Sequence, residues 1–261
     1  MQLLAGKKGL IMGLANDQSM AWGIAQECAS HGAELAFSYQ GPILEKRVRP
    51  LAEKLGSDFV FMCDVGDQNS LQKSFDLIQE KWGRLDFVVH AIAFSDKNEL
   101  RGRYVDTTLE NFNLTMNISC YSFVAIAKHA SALMVDGGSI ITLSYYGAEK
   151  AIPNYNVMGV AKAALESSIR YIASDLGKDK IRVNAISAGP VRTLAASGIA
   201  DFKAVLGWTE SNAPLRRNIT IQDVGRSALY LLSDLSSGVT GEVLHVDSGY
   251  HATGMKMDIV P

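Results

Sequence analysis

Residues 9–31 read GLIMGLANDQSMAWGIAQECASH. Gly9-Leu10-Ile11-Met12-Gly13 is an unbroken apolar run of strand length, the pattern of a strand covered on both faces. Met20 to His31 follows with helical spacing, and Ser19 stands at the N-cap position. A glycine at the strand end lets the chain turn close to a ligand, while the helix start offers free N–H groups and a positive dipole end. The arrangement suits a pyrophosphate. The G-x-G-x-x-G spacing is absent, and strand-turn-helix units need glycine for structural reasons too, so this stretch alone leaves a dinucleotide cradle and an ordinary βα turn both open.

The unit recurs outward along the chain. Further strands are read at Ala33–Tyr39, Asp58–Cys63, Leu85–Val89, Ser139–Leu143, Ile181–Ile186 and Glu242–Val246. Helices are read at Ile43–Leu55, from about Gln68, across Thr107–Val135 with a break near Asn117-Ile118-Ser119, after Pro153, and at Ile221–Leu235. Seven strands alternating with helices, with neither an internal repeat nor a low-complexity linker, predict an α/β fold. It is a single domain over residues 1–261, one doubly wound sheet of seven parallel strands with ligands outside their carboxyl ends.

Composition narrows the function classes. The 261 residues are 48% hydrophobic and 20% charged with a net charge of -2, values of a soluble globular chain with a sizeable core. Arg216-Arg217 and Lys178-Asp179-Lys180 read as solvated surface rather than a nucleic-acid footprint. Cys28, Cys63 and Cys120 are odd in number and widely spaced, which suggests reduced thiols in the cytoplasm and no zinc or other metal site. Lysines interrupt the first residues before any signal-peptide core, and no apolar run approaches the roughly 20 residues of a membrane span.

Chemistry concentrates near Ser144 to Lys162, SYYGAEKAIPNYNVMGVAK. On a helix, the seven residues from Tyr155 to Lys162 turn the lysine to roughly 20° from the tyrosine, two turns along one face. A phenol and an ammonium looking into one place can stabilise an oxyanion or pass it a proton. The plainer alternative is that both merely flank the apolar stripe Met158, Ala161, Leu165, Ile169, Ile172 and Leu176.

Other strand ends carry candidate binding residues. Gln40 follows the second strand, where an acid would select NAD and an arginine NADP; a neutral amide favours NADH, with Arg47 and Arg49 keeping NADPH in view. Asp64 either accepts from an adenine amino group or caps the helix beginning near Gln68. His90 reads as a satisfied structural histidine, and the small residues from Ala91 to Ser95 either admit a ribose and nicotinamide or pack a core turn. Beyond Ser187-Ala188, Gly189-Pro190 turns the chain away from the sheet toward Val191, Arg192 and Thr193. Leu194 to Trp208 is either a mobile flap over an apolar substrate or an ordinary surface helix.

Gly13 through Ser19-Met20-Ala21-Trp22-Gly23, Asp64-Val65, Ser144-Tyr145-Tyr146-Gly147-Ala148-Glu149, Tyr155 with Lys162, and Ser187 through Ala195 fall in one order. Together they resemble the NADH-dependent enoyl-acyl-carrier-protein reductases of bacterial fatty-acid synthesis, within the short-chain dehydrogenase/reductase superfamily of Rossmann-type folds. The match runs to about Gly249. Most of that superfamily places the lysine four residues beyond the tyrosine; here that position is Gly159 and the lysine stands at seven.

The resemblance implies that Tyr155 hydrogen-bonds the thioester carbonyl, that Lys162 binds the nicotinamide ribose, and that Tyr145 is the second active-site tyrosine. It implies a cofactor site lined by Gly13, Ser19, Met20, Gln40, Asp64, Val65, Ile92, Lys162, Val191, Arg192, Thr193, Leu194 and Ala195, with Ser95 beside the substrate. It also implies an acyl-carrier-protein substrate and a homotetramer; the apolar stripe after Tyr155, read from the residues themselves, is a candidate for part of such an interface. Between Ile199 and Leu206 only Lys203 offers positive charge to an acidic carrier, and residues 254–261 match nothing in the family pattern. A carbonyl reductase on the same fold and a silent dinucleotide sensor are the rival readings.

Overall fold

The computed structural model describes residues 2–193 and 201–255. Seven strands form one sheet: β1 (Lys8–Met12), β2 (Glu34–Tyr39), β3 (Val60–Met62), β4 (Phe87–His90), β5 (Gly138–Ser144), β6 (Ile181–Ala188) and β7 (Val243–Val246). Their order is β3-β2-β1-β4-β5-β6-β7, and every neighbouring pair is parallel. The chain winds outward from β1 to β3 and then returns to lay β4 on the other side of β1. The crevice at that reversal, outside the strand ends, is where such sheets bind ligands.

Successive strand residues serve opposite faces, as a two-residue period requires. Leu10, Met12, Val88, Ile140 and Val183 face α3 (Gln68–Trp82), α5 (Ser122–Ser131) and α6 (Asn156–Leu176). Ile11, Phe37, Val89, Ile141 and Ile186 face α1 (Met20–Ser30), α2 (Pro42–Lys54) and α8 (Ile221–Leu232). Strands buried on both faces explain why the sequence shows apolar runs rather than alternation.

The apolar stripe of α6 belongs to the first of these cores. Met158, Ala161, Leu165, Ile169 and Ile172 are buried in the protomer, and Leu176 packs against the same core. The expected contribution of this stripe to a subunit interface is therefore corrected: the sheet consumes it, and the exposed large apolar side chains of α6 are Val160 and Tyr171.

The expected break in the 107–135 region is a π turn, Asn117–Tyr121, set between α4 (Leu109–Met116) and α5. Such turns concentrate at functional sites because the extra residue re-aims its neighbours. Here it turns Ser119 inward, where the hydroxyl accepts from the Phe94 N–H at 2.9 Å and donates to the Phe94 carbonyl at 3.0 Å. That bracket fixes the loop leaving β4. Of the proposed 194–208 flap, the described part begins α7 (Phe202–Asn212). Among the described residues no helix is long and apolar enough to cross a membrane, and no cluster of metal-ligating side chains occurs.

Candidate active site

At the crevice, Gly13 ends β1 with φ +91°, and a Cβ built on it would lie 2.0 Å from the Ala91 carbonyl oxygen. Only glycine lets the β1 and β4 exits approach so closely. Ser19 is the N-cap residue of α1, yet its hydroxyl makes no bond to the helix. It accepts instead from the N–H groups of Ala15 at 3.2 Å and Asn16 at 3.0 Å, and donates to Asn16 Oδ1. The first turn of α1 is left without a side-chain cap or an acidic residue, so its positive end stays uncompensated toward the crevice. Met20, at the start of that turn, is half-buried against the core.

Gln40 and Asp64 leave the tips of β2 and β3 side by side, with Gln40 Nε2 3.5 Å from Asp64 Oδ2. The other Asp64 oxygen accepts from the Gly66 N–H at 2.9 Å, while Asp67 caps α3 by accepting from the Asn69 N–H. The helix-cap alternative for Asp64 thus falls to Asp67. Val65 is buried, and Ile92 packs partly buried on the core beneath the crevice. An uncapped helix start, a glycine-enforced close approach and a polar pair at the tips of β2 and β3 are groups suited to a pyrophosphate, a close-lying backbone and an adenosine. The residues present fit a dinucleotide.

The catalytic candidates gather at the tip of β5. Lys162 is buried on α6 and its Nζ donates to the Leu143 carbonyl at 2.7 Å. Burial lowers its pKa to about 8, against the opposing pull of Cys120 and Glu166. Tyr145 follows Ser144 directly, and its ring meets that of Tyr155 edge to face with centroids 5.0 Å apart. Tyr155 is buried in an apolar cluster with Leu100, Val157 and Met158, which pushes its phenol far above the ordinary range. Burial raises Tyr145 to about 12. Both phenols are therefore hydrogen-bond donors at neutral pH.

Tyr155 is not on the helix, as the angular argument assumed. It is the N-cap residue of α6, and Asn154 (φ +59°) and Asn156 (φ +37°) flank it in the left-handed region. Asparagine tolerates that region better than most residues. Asn156 Nδ2 also donates to the Gly102 carbonyl at 3.3 Å, tying the strained turn to the 96–106 loop. Close packing completes the arrangement: a Cβ on Gly147 would lie 2.4 Å from the Tyr155 ring, and one on Gly159 2.7 Å from the Gly147 carbonyl. The position where the wider superfamily carries its lysine is filled here by the turn that follows Tyr145.

The remaining candidates divide. The Ser95 hydroxyl is buried in a network with Asn111 and Thr115. His90 bridges Thr142 at 2.8 Å and Ser122 at 2.9 Å, and burial drops its pKa to about 3, as befits a neutral structural group. Val191, Arg192 and Thr193 leave β6 beyond Gly189-Pro190, with Arg192 exposed; Leu194 and Ala195 lie outside the described residues. Trp208 of α7 donates to the Tyr250 hydroxyl at 3.0 Å, and Tyr250 packs edge-on against Tyr146. Sequence reasoning passed over Glu166, whose only signal was a charge on the α6 face one turn beyond Lys162; Ser187, which it named only as part of the stretch leaving β6, has a buried hydroxyl with no partner among the described residues.

Residues 13–251 match the family model described as Enoyl-(Acyl carrier protein) reductase. The chain is 64% identical over 254 residues to "Enoyl-[acyl-carrier-protein] reductase [NADH] 1" of Rhizobium meliloti, covering 97% of this chain and 93% of that protein. It is 60% identical over 252 residues to the FabI reductase of Rickettsia felis, covering 97% of each. A solved enoyl-acyl-carrier-protein reductase of Anaplasma phagocytophilum, in complex with NAD, superposes with a TM-score of 0.95 at 63% identity, covering 98% of this chain and 97% of that one. This chain belongs to the enoyl-acyl-carrier-protein reductase family of the short-chain dehydrogenase/reductase superfamily.

Proposed function

We propose that Tyr155 donates the hydrogen bond that stabilises the enolate, and that Lys162 supplies the positive potential and the ribose contact, in this NADH-dependent enoyl-acyl-carrier-protein reductase. The activity is that of the family: reduction of the trans-2 double bond of an enoyl thioester in fatty-acid elongation. Bound NADH supplies the hydride that adds at C3. Charge then gathers on the thioester oxygen, where a donor already in place and buried is worth about 3 kcal/mol of barrier, roughly a hundredfold in rate. Tyr155 meets that requirement because burial keeps its proton on at any working pH. The single observation that carries this reading is that the buried ammonium of Lys162 bonds Leu143 while the buried ring of Tyr155 packs on Tyr145, two residues further along the same chain end of β5.

Gly13, Ser19, Met20, Gln40, Asp64, Val65, Ile92, Val191, Arg192, Thr193, Leu194 and Ala195 are proposed to hold the cofactor along the crevice, and Ser95 to meet the substrate through its backbone. Residues 194–208 are proposed as a flap of the single 1–261 domain, tethered through Trp208 and Tyr250 toward the Tyr145 turn. A homotetramer is proposed on the family pattern, supported by exposed Tyr121 and Val124 of the α5 region and Val160 and Tyr171 of α6. Three free cysteines support a cytoplasmic location.

The test is NADH oxidation on adding a 2-enoyl thioester of acyl carrier protein, with a 3-ketoacyl thioester alongside. Turnover of the enoyl substrate alone supports the reading; turnover of the ketone alone selects a carbonyl reductase. A Lys162→Met enzyme is expected to bind NADH at least tenfold more weakly by titration, and native affinity would remove the ribose role.

A further inference from the structure

We infer that Glu166 is a positioning residue of the reductase: from one helical turn beyond Lys162 it holds the tip of β5 in place and keeps the lysine charged. The inference rests on Lys162 being the cation of the site, as proposed above. Residues four apart on a helix share a face, so Lys162 and Glu166 of α6 both point at β5. Lys162 donates to the Leu143 carbonyl, and the hydroxyl of Ser144, the next residue, donates to the Glu166 carboxylate. Tyr145 follows immediately. One helix thus grips two consecutive residues at the end of the strand that presents the second tyrosine.

A purely structural grip would need no charge. A half-buried carboxylate is costly unless its surroundings favour the anion; here burial, with Glu149 adding to it, holds the Glu166 pKa above its ordinary value, and Ser144, His245 and Lys162 pull against that rise. The groups facing it are Ser144 of β5, Glu149 of the turn beyond, His245 of β7, Lys162 of α6 and Tyr155 at the N-cap of α6. Lys162 is faced in turn by Cys120 of the π turn, by His90 of β4 and by Glu166. Glu166 is therefore a nearby carboxylate able to offset the desolvation of Lys162, and it does so while bonded to the strand tip. His245 Nε2 also bonds the Glu149 carboxylate at 2.7 Å.

The experiment compares kcat–pH profiles at saturating NADH for wild type, Glu166→Gln and Glu166→Asp. Glu166→Gln keeps an acceptor for Ser144 but removes the charge. It is expected to turn over normally at about pH 6.5 and to show its alkaline limb about one pH unit lower, the scale of a close opposite charge. Glu166→Asp keeps the charge but shortens the reach. It is expected to leave the limb in its wild-type place and to lower kcat about fivefold, with NADH affinity unchanged. A Glu166→Gln limb coincident with wild type overturns the inference, as does an Asp variant with wild-type kcat. Should the Gln variant not fold, the Asp variant decides: reduced kcat with an unmoved limb supports the role, and any other result contradicts it. A Lys162→Met control separates the two levels. Full turnover in that variant would sink the cation reading itself, whereas an inactive Lys162→Met beside a coincident Glu166→Gln limb would sink Glu166 alone.

Discussion

Tyr145 closes over Tyr155: the rings meet at 75°, centroids 5.0 Å apart, and Tyr155 is left with 8% of its surface exposed. Tyr145→Phe retains this edge-to-face contact, itself worth about 1 kcal/mol, and is expected to keep kcat within about fivefold of wild type. Tyr145→Ala opens Tyr155 to water. Its kcat is expected to fall more than about tenfold while the Tyr155 pKa moves down toward the ordinary range, since burial is what raises it. Stopped kinetics with an enoyl thioester and an ultraviolet pH titration of the phenols check both.

Lys162 sets a pH dependence whose sign follows from its burial. Its folded pKa of about 8 lies below the ordinary lysine value of 10.5, so between these pH values the unfolded chain binds more protons than the folded one. Stability attributable to this group therefore rises with pH through that window. On the role proposed for Lys162, activity runs the other way, because the charged form is the one that would hold the ribose and supply positive potential. In the free enzyme kcat/KM is expected to fall with an apparent pKa near 8 while thermal stability does not fall in step; a parallel loss of both would assign the limb to unfolding.

Gly147 and Gly159 are where the Tyr145 turn and the start of α6 touch. An added methyl at Gly159 meets a backbone carbonyl at 2.7 Å, which cannot swing away as a side-chain end can. Gly159→Ala is expected to cost about 1–3 kcal/mol of stability and to reduce kcat more than NADH affinity, because it displaces the turn carrying Tyr145. Denaturant unfolding and cofactor titration separate the two effects.

Gln40 stands exposed at the tip of β2 beside Asp64. Gln40→Arg supplies the countercharge that a 2′-phosphate lacks here and is expected to raise kcat/KM for NADPH about tenfold or more. Equal coenzyme preference in wild type and variant would place the adenosine ribose elsewhere.

The sheet was legible because parallel strands covered on both faces leave apolar runs, and the turns between them leave glycines. Gln40 and Asp64 could be named from strand ends alone, though the choice between base contact and helix cap for Asp64 waited on Asp67. The tyrosine–lysine pairing was read by treating residues 155–162 as one helix, and that step failed locally. The clash of left-handed Asn154 and Asn156 with regular helix geometry makes Tyr155 a cap residue, and convergence comes from Lys162 reaching Leu143 while Tyr155 packs on Tyr145. Helical periodicity carries no information on such a turn. The stripe on α6 misled for a related reason: an apolar face shows that something covers it, not whether the cover is the protomer's own sheet or a neighbour.

The most direct measurement is kcat and NADH affinity for Tyr155→Phe, which removes one oxygen from a buried ring and little else. A roughly hundredfold loss of kcat on an enoyl thioester, with unchanged NADH affinity and an unchanged unfolding midpoint, is the expected result. Turnover at the wild-type rate would contradict the role of this phenol in holding the enolate.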